Sequence, residues 1–152
     1  MMAYKMTMYS VNGQTIFARE EGKSTRPLAL LVHGWSSSWY ALSPLLPILS
    51  KRYHCLAVDL PGYGQSPPGS ERATISGYAD LLAMLIQEIT DRPVLLVGHS
   101  MGGMISLTLA LRHPELVERL VLLCPTISGQ LSLFINLFIS PVTVLERSRV
   151  TG

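Results

Sequence analysis

One serine in this chain has neighbours that suit it to chemistry. Gly98-His99-Ser100-Met101-Gly102 matches the pattern G-x-S-x-G. The apolar run Val94–Val97 precedes it and an apolar helical pattern, Gly102 to His113, follows it. This strand–turn–helix context is the one that the nucleophile-elbow motif requires. The serine there adopts a strained backbone and its hydroxyl projects at a helix N-terminus. The alternative is a glycine-rich turn without chemistry, but the pattern favours a nucleophilic Ser100.

Acyl transfer at such a serine also needs donors for the oxygen that becomes negatively charged. The backbone N–H of Met101 directly follows the serine, which makes it the first expected donor. We expect the second donor to be the backbone N–H of Trp35, in the loop after the apolar run Leu28–Val32. We expect Gly98, His99 and Gly102 to shape the elbow around Ser100. We expect His33 and Gly34 to shape the turn that follows Leu28–Val32.

The elements that must position these residues alternate between strands and helices. Thr7 to Glu20 predicts a β-hairpin around Asn12-Gly13, the favoured type I′ turn. Trp39 to Ser50 predicts a helix whose regular part has Ser43 as N-cap and Pro44 at its first position. The other expected elements are strands at Leu28–Val32, Tyr53–Val58, Val94–Val97 and Leu120–Cys124 and a helix at Ser76–Thr90. The order predicts an α/β fold, a mostly parallel sheet with helices on both faces, opened by the hairpin.

The length of 152 residues favours one domain. We expect residues 1–125 to form its core and residues 126–152 to begin a lid. The apolar stretch Leu131–Leu145 is interrupted by Asn136 and Pro141 and is short for a bilayer span, so we expect it to cover a site rather than anchor the chain.

Composition narrows the class of protein further. A net charge of +2 with scattered basic residues argues against a nucleic-acid partner. Cys55 and Cys124 lie in apolar runs, which predicts buried free thiols. There is no cluster at metal-ligand spacing and no phosphate-binding glycine loop, so we expect no metal and no cofactor. Without a signal-peptide pattern at the N-terminus, we expect a cytoplasmic protein.

Three motifs in order carry a resemblance to a known family. His33-Gly34-Trp35, DLPGYGQS from Asp59 and GHSMGG from Gly98 resemble the α/β-hydrolase superfamily, in its serine esterase and haloperoxidase-like branch. The resemblance covers about Met6 to Pro125. It implies that Ser100 is the nucleophile, that Trp35 helps to form the oxyanion hole, and that the Asp59 turn is architectural. A serine at the elbow argues against the dehalogenases and epoxide hydrolases, which carry aspartate there.

The resemblance also implies an acid and a histidine after the serine, and neither is found in this chain. The histidines are His33, His54, His99 and His113, and each is better interpreted as structural. We therefore expect a partial hydrolase fold with its last strands missing, a truncated serine hydrolase acting on a small-molecule ester or related acyl substrate. The alternatives are a catalytically silent hydrolase-like fragment or binding module, and a site completed by a second copy or partner. We also expect an uncovered sheet edge at Leu120–Cys124 to favour self-association.

Overall fold

The computed structural model describes residues 4–70 and 72–126, and these form a six-stranded mixed sheet with helices on both faces. The strands lie in the order β1-β2-β4-β3-β5-β6. In chain order they are β1 Tyr4–Val11, β2 Gln14–Glu21, β3 Leu28–Val32, β4 His54–Asp59, β5 Val94–His99 and β6 Val117–Leu123. The helices are a 3-10 helix Trp39–Leu45, α1 Leu46–Leu49, α2 Ile75–Ile89, α3 Met101–Arg112 and a 3-10 turn Pro114–Leu116. The predicted fold class is confirmed.

The hairpin forms as its turn sequence predicts. Strands β1 and β2 pair antiparallel, with Val11 opposite Gln14. Asn12 and Gly13 both have positive φ, 47° and 73°, as a type I′ turn requires. Strand β2 then pairs antiparallel with β4, whereas β4, β3, β5 and β6 are parallel to one another. The hairpin therefore extends one side of a parallel sheet.

Apolar residues on the two faces of the sheet form two separate cores. One core packs α2 and α3 against the sheet, with Leu82, Ile86 and Ile105 fully buried. The other packs Leu42 and Leu46, from the 3-10 helix and α1, against the opposite face. The connections after β3 and β5 thus leave toward opposite faces of the sheet. Such a divergence opens a crevice at the carboxyl ends of two adjacent parallel strands.

Three sequence expectations are corrected. The regular helix α1 begins at Leu46 with Leu45 as its N-cap, not at Pro44 after Ser43. Ser43 and Pro44 lie inside the preceding 3-10 helix, where the Ser38 side chain accepts the N–H of Tyr40 as the cap. The strand expected at Leu120–Cys124 spans Val117–Leu123; it is outermost in the sheet of the described residues, and Val121 is 41% exposed. Cys124, just after β6, is exposed, whereas Cys55 is buried as expected. The expected lid, within residues 127–152, lies outside the described residues.

Candidate active site

Ser100 occupies the sharp turn between β5 and α3. Its backbone has φ 53° and ψ −118°, a conformation that non-glycine residues rarely adopt and that the surrounding structure must enforce. The Ser100 N–H donates to the Leu123 carbonyl at 3.0 Å, and the Ser100 carbonyl accepts the N–H groups of Gly103 at 2.9 Å and Met104 at 3.2 Å. Hydrogen bonds on both sides therefore hold the residue in this strained geometry.

The two glycines of the elbow leave no room for a side chain. A Cβ at Gly98 would overlap the carbonyl oxygen of Gly102 and the hydroxyl of Ser106. A Cβ at Gly102 would overlap the backbone carbonyls of Val32 and His33. The helix thus approaches the ends of β3 and β5 so closely that only hydrogen fits, which accounts for both glycines of the motif.

The loop after β3 lies directly against the serine. A Cβ at Gly34 would lie 3.2 Å from Ser100 Cβ and 3.3 Å from His99 Nδ1. Trp35 follows in the same loop with its side chain 55% exposed, and Met101 begins α3. The first N–H groups of a helix have no partner within the helix. The fold therefore brings together the loop of Trp35, the start of α3 and Ser100, the three parts predicted to form the site.

His33 ties this loop to the one after β4. Its Nε2 accepts the N–H of Leu60 at 3.1 Å, which makes Nδ1 the protonated nitrogen and the donor to the Gly34 carbonyl at 2.7 Å. The ring is fully buried, and burial lowers the pKa of His33 below its ordinary value. A neutral His33 with both nitrogens engaged holds the backbone beside Ser100 in place.

Asp59 is a buried carboxylate with both oxygens engaged. Oδ1 accepts the N–H of Trp39 at 2.6 Å and Oδ2 accepts the N–H of Gln65 at 2.8 Å. Its carbonyl accepts the hydroxyl of Ser66 at 2.6 Å, and that hydroxyl in turn accepts the N–H of Phe17. These contacts stabilise the turn after β4 and leave Asp59 little capacity to orient a histidine. The geometry fits the architectural role that the resemblance implied.

The other three histidines do not contact the serine hydroxyl in the part of the chain that the structure describes. His54 Nε2 pairs with Glu20 at 2.9 Å, and His113 Nε2 pairs with Asp80 at 3.1 Å. His99 Nδ1 is buried without a hydrogen-bond partner among the described residues.

The hydrogen-bond partner of Ser100 Oγ within residues 4–70 and 72–126 is Thr126, whose Oγ1 lies 3.4 Å away. The sequence analysis missed this residue. Its only sequence signal is its position just after the last strand, where the chain returns to the elbow.

A cavity of 340 Å³ opens beside the loop of Trp35. It lies between the loops that follow β3 and β4 and is lined by Trp35, Ser36, Ser37, Gly62, Tyr63 and Gly64. Within the described ranges, no group of three or more His, Cys, Asp and Glu side chains could hold a metal ion. No helix found there is long and apolar enough to cross a membrane. Ser100 and the loop of Trp35 form the candidate site; the cavity adjoins it through Trp35, and Ser100 is not among its lining residues.

This fold and this elbow define a hydrolase family. A family model described as alpha/beta hydrolase fold matches residues 27–146, and the chain belongs to that family. An uncharacterized hydrolase, YugF of Bacillus subtilis, is 36% identical over 119 residues, which are 76% of this chain and 43% of the relative. The (E)-2-((N-methylformamido)methylene)succinate hydrolase of Acinetobacter baylyi is 33% identical over 117 residues, covering 77% of this chain and 44% of the relative.

Solved structures agree with this assignment. The crystal structure of a membrane phospholipase A, described as a bacterial virulence factor, superimposes with a TM-score of 0.76 at 32% identity. The match covers 81% of this chain and 40% of that protein. The chain thus spans less than half the length of the curated relatives and the solved structure it matches. Both relatives described above are hydrolases by name.

Proposed function

We propose that this chain carries the nucleophile and the oxyanion hole of a serine hydrolase that acts on an ester or a related acyl bond. The observation that carries the proposal is the positive φ of Ser100, held between two glycines at the end of β5. Ser100 Oγ attacks the carbonyl carbon of the substrate. The backbone N–H groups of Met101 and Trp35 donate to the oxygen that becomes negatively charged. The hydrolase names of the relatives support the reaction class.

The general base and the acid are proposed to come from outside these 152 residues. His54 and His113 pair with carboxylates away from Ser100, and His33 hydrogen-bonds to the loop after β4. The fourth histidine, His99, directly precedes Ser100, and its buried Nδ1 has no hydrogen-bond partner among the described residues. A histidine and an acid from elsewhere would complete the triad, with the histidine taking the proton from Ser100 Oγ.

The same proposal includes the substrate, the cellular location and the lid. The substrate is a small molecule bound next to the cavity beside Trp35, the protein acts in the cytoplasm, and residues 126–152 contribute to a lid. A nucleic-acid or membrane partner forms no part of it.

Substitution of the serine tests the proposal. In the protein that also contains the histidine and the acid of the proposed triad, Ser100→Ala should abolish labelling by an organophosphonate ester and lower kcat/KM for p-nitrophenyl esters by about 10³-fold or more. Ser76→Ala is the matched control, because Ser76 is exposed on α2, away from the elbow. Turnover that is unchanged in the Ser100 variant would contradict the proposal.

A second candidate function is a catalytically silent binding module. It is favoured by the finding that Ser100 Oγ contacts Thr126, and no histidine, among the described residues. This alternative expects ester ligands to bind without turnover and without labelling of the serine. Rapid stoichiometric phosphonylation of Ser100, located by peptide mass spectrometry, would exclude it.

A further inference from the structure

The residues that follow β6 contact the nucleophile from both its backbone and its side chain. Thr126 is 7% exposed. Its N–H donates to the Ser100 carbonyl at 3.3 Å, and its Oγ1 lies 3.4 Å from Ser100 Oγ. One residue therefore contacts both the strained backbone of the serine and the hydroxyl that would react.

The rest of this segment, Leu123–Thr126, packs on the same turn. The Leu123 carbonyl accepts the Ser100 N–H at 3.0 Å. A Cβ at Gly103 would lie 2.9 Å from Pro125 Cβ, so that proline lies tightly against the first turn of α3. Cys124 between them has φ 45°, a reversal that brings the chain back from the strand toward the elbow. The backbone thus places the Thr126 hydroxyl next to Ser100 Oγ.

We infer that Thr126 is a positioning residue for Ser100, whose hydroxyl orients Ser100 Oγ by a hydrogen bond. The inference deepens the proposed function and rests on it. A separation of 3.4 Å exceeds the usual length of an O–H···O bond, about 2.7 to 2.8 Å. The contact therefore orients the serine oxygen without withholding its proton from a base. As negative charge develops on that oxygen, donation from Thr126 strengthens, because charged acceptors bind donors more tightly.

A thiol at position 100 tests the contact without needing turnover. In a Ser100→Cys background, the thiol pKa is measured from the pH dependence of its alkylation by iodoacetamide, followed at residue 100 by peptide mass spectrometry. Cys55 does not interfere, because burial raises its pKa to about 12, and Cys124 is resolved on another peptide. If Thr126 donates to the thiolate, Thr126→Val should raise that pKa by about one unit.

Thr126→Ser is the matched control, because it keeps the hydroxyl and removes only the methyl group. It should return the thiol pKa to within about 0.3 unit of the parent value, since the donor is restored. A pure packing role would instead leave the valine variant, which preserves the shape, close to the parent. Equal pKa values in the valine and serine variants would overturn the inference. If the valine variant does not fold, Thr126→Ala supplies the measurement without a hydroxyl.

Rates of phosphonate labelling separate this inference from the proposed function. With Ser100 intact, Thr126→Val should slow labelling about tenfold and Thr126→Ser by less than about twofold. If Ser100 is not labelled even in the protein that also contains the histidine and the acid of the proposed triad, the proposed function fails, while the thiol titration still decides whether Thr126 donates to position 100.

Discussion

Ser100 and Asp59 are polar residues at the carboxyl ends of two parallel strands in the same sheet. Each is also followed by a glycine that leaves no room for a side chain: a Cβ at Gly64 would overlap the Asp59 carboxylate, and one at Gly102 would overlap the carbonyls of Val32 and His33. The two differ in what their side-chain oxygens contact. Both oxygens of Asp59 accept backbone N–H groups, whereas Ser100 Oγ has one long contact to Thr126 among the described residues.

This difference distinguishes a polar group that builds the fold from one that is available for chemistry. Burial is costly for a carboxylate unless hydrogen bonds satisfy it, and the N–H groups of Trp39 and Gln65 give each oxygen of Asp59 a hydrogen bond. At Ser100 the hydrogen bonds instead satisfy the backbone and leave the hydroxyl nearly free. Asn12, Ser36 and Cys124 also have positive φ, so the strained main chain alone does not identify the candidate reactive residue. Ser100 combines that strain with a place between the elbow glycines and a hydroxyl that lacks a short hydrogen bond.

The largest expected loss of stability comes from filling the space that Gly102 leaves next to Val32 and His33. Gly102→Ala places a methyl group against the carbonyls of Val32 and His33, so the helix must move away from β3. We expect a loss of about 3 kcal/mol in the free energy of unfolding, measured by urea denaturation. Gly13→Ala is the control, because it meets no neighbour and changes only a position of positive φ. It should cost about 1 kcal/mol, and equal losses at the two glycines would contradict the close approach.

Asp59→Asn tests the other side of the comparison and should destabilise by about 2 kcal/mol. The amide keeps the shape of the carboxylate but turns one acceptor into a donor that faces the N–H of Trp39 or Gln65. Thermal denaturation should show the loss. Phosphonate labelling of Ser100 well below the melting temperature should continue at close to the parent rate. A variant of normal stability that has lost labelling would instead make Asp59 part of the chemistry.

The smallest expected effect is a dependence of stability on pH caused by His33, which lies between the two turns. Burial lowers its pKa, so the unfolded chain takes up the proton at a higher pH than the folded one. The stability that neutral His33 contributes is therefore fully present above about pH 6.5. It is lost as the pH falls toward the pKa of His33 in the folded protein, and the free energy of unfolding then decreases by at most about 1.4 kcal/mol per pH unit. Urea midpoints between about pH 8 and about pH 5 measure this slope. His33→Gln should reduce it, and an unchanged slope would assign it to other groups.

Local sequence signals predicted the parts of the fold whose geometry is local. Asn12-Gly13 predicted the hairpin, the apolar run Leu28–Val32 predicted a buried strand, and the spacing of glycines around Ser100 predicted the elbow. Each of these signals reflects backbone geometry or burial within a few residues. The structure reproduces all three.

Features that depend on distant contacts were not predictable in the same way. Several serines near Trp39 are suitable helix caps, and the observed choice of Ser38 accompanies the bond from the Trp39 N–H to Asp59, twenty residues further along the chain. The exposure of Cys124 depends on the place of β6 in the sheet, and the contact of Thr126 with Ser100 depends on the path of the chain after that strand. No local pattern encodes these arrangements.

The exposed indole of Trp35 has a consequence for laboratory evolution of this protein. In the proposed chemistry Trp35 acts through its main-chain N–H, while its side chain is 55% exposed beside the cavity. Position 35 can therefore be randomised in a saturation library without loss of the proposed oxyanion hole, which uses only the main-chain N–H of that residue. Gly34 is kept in such a library, because a Cβ there would lie 3.2 Å from Ser100 Cβ, a tight contact beside the nucleophile. A single codon thus offers a route to altered selectivity in which the library members keep the same catalytic backbone.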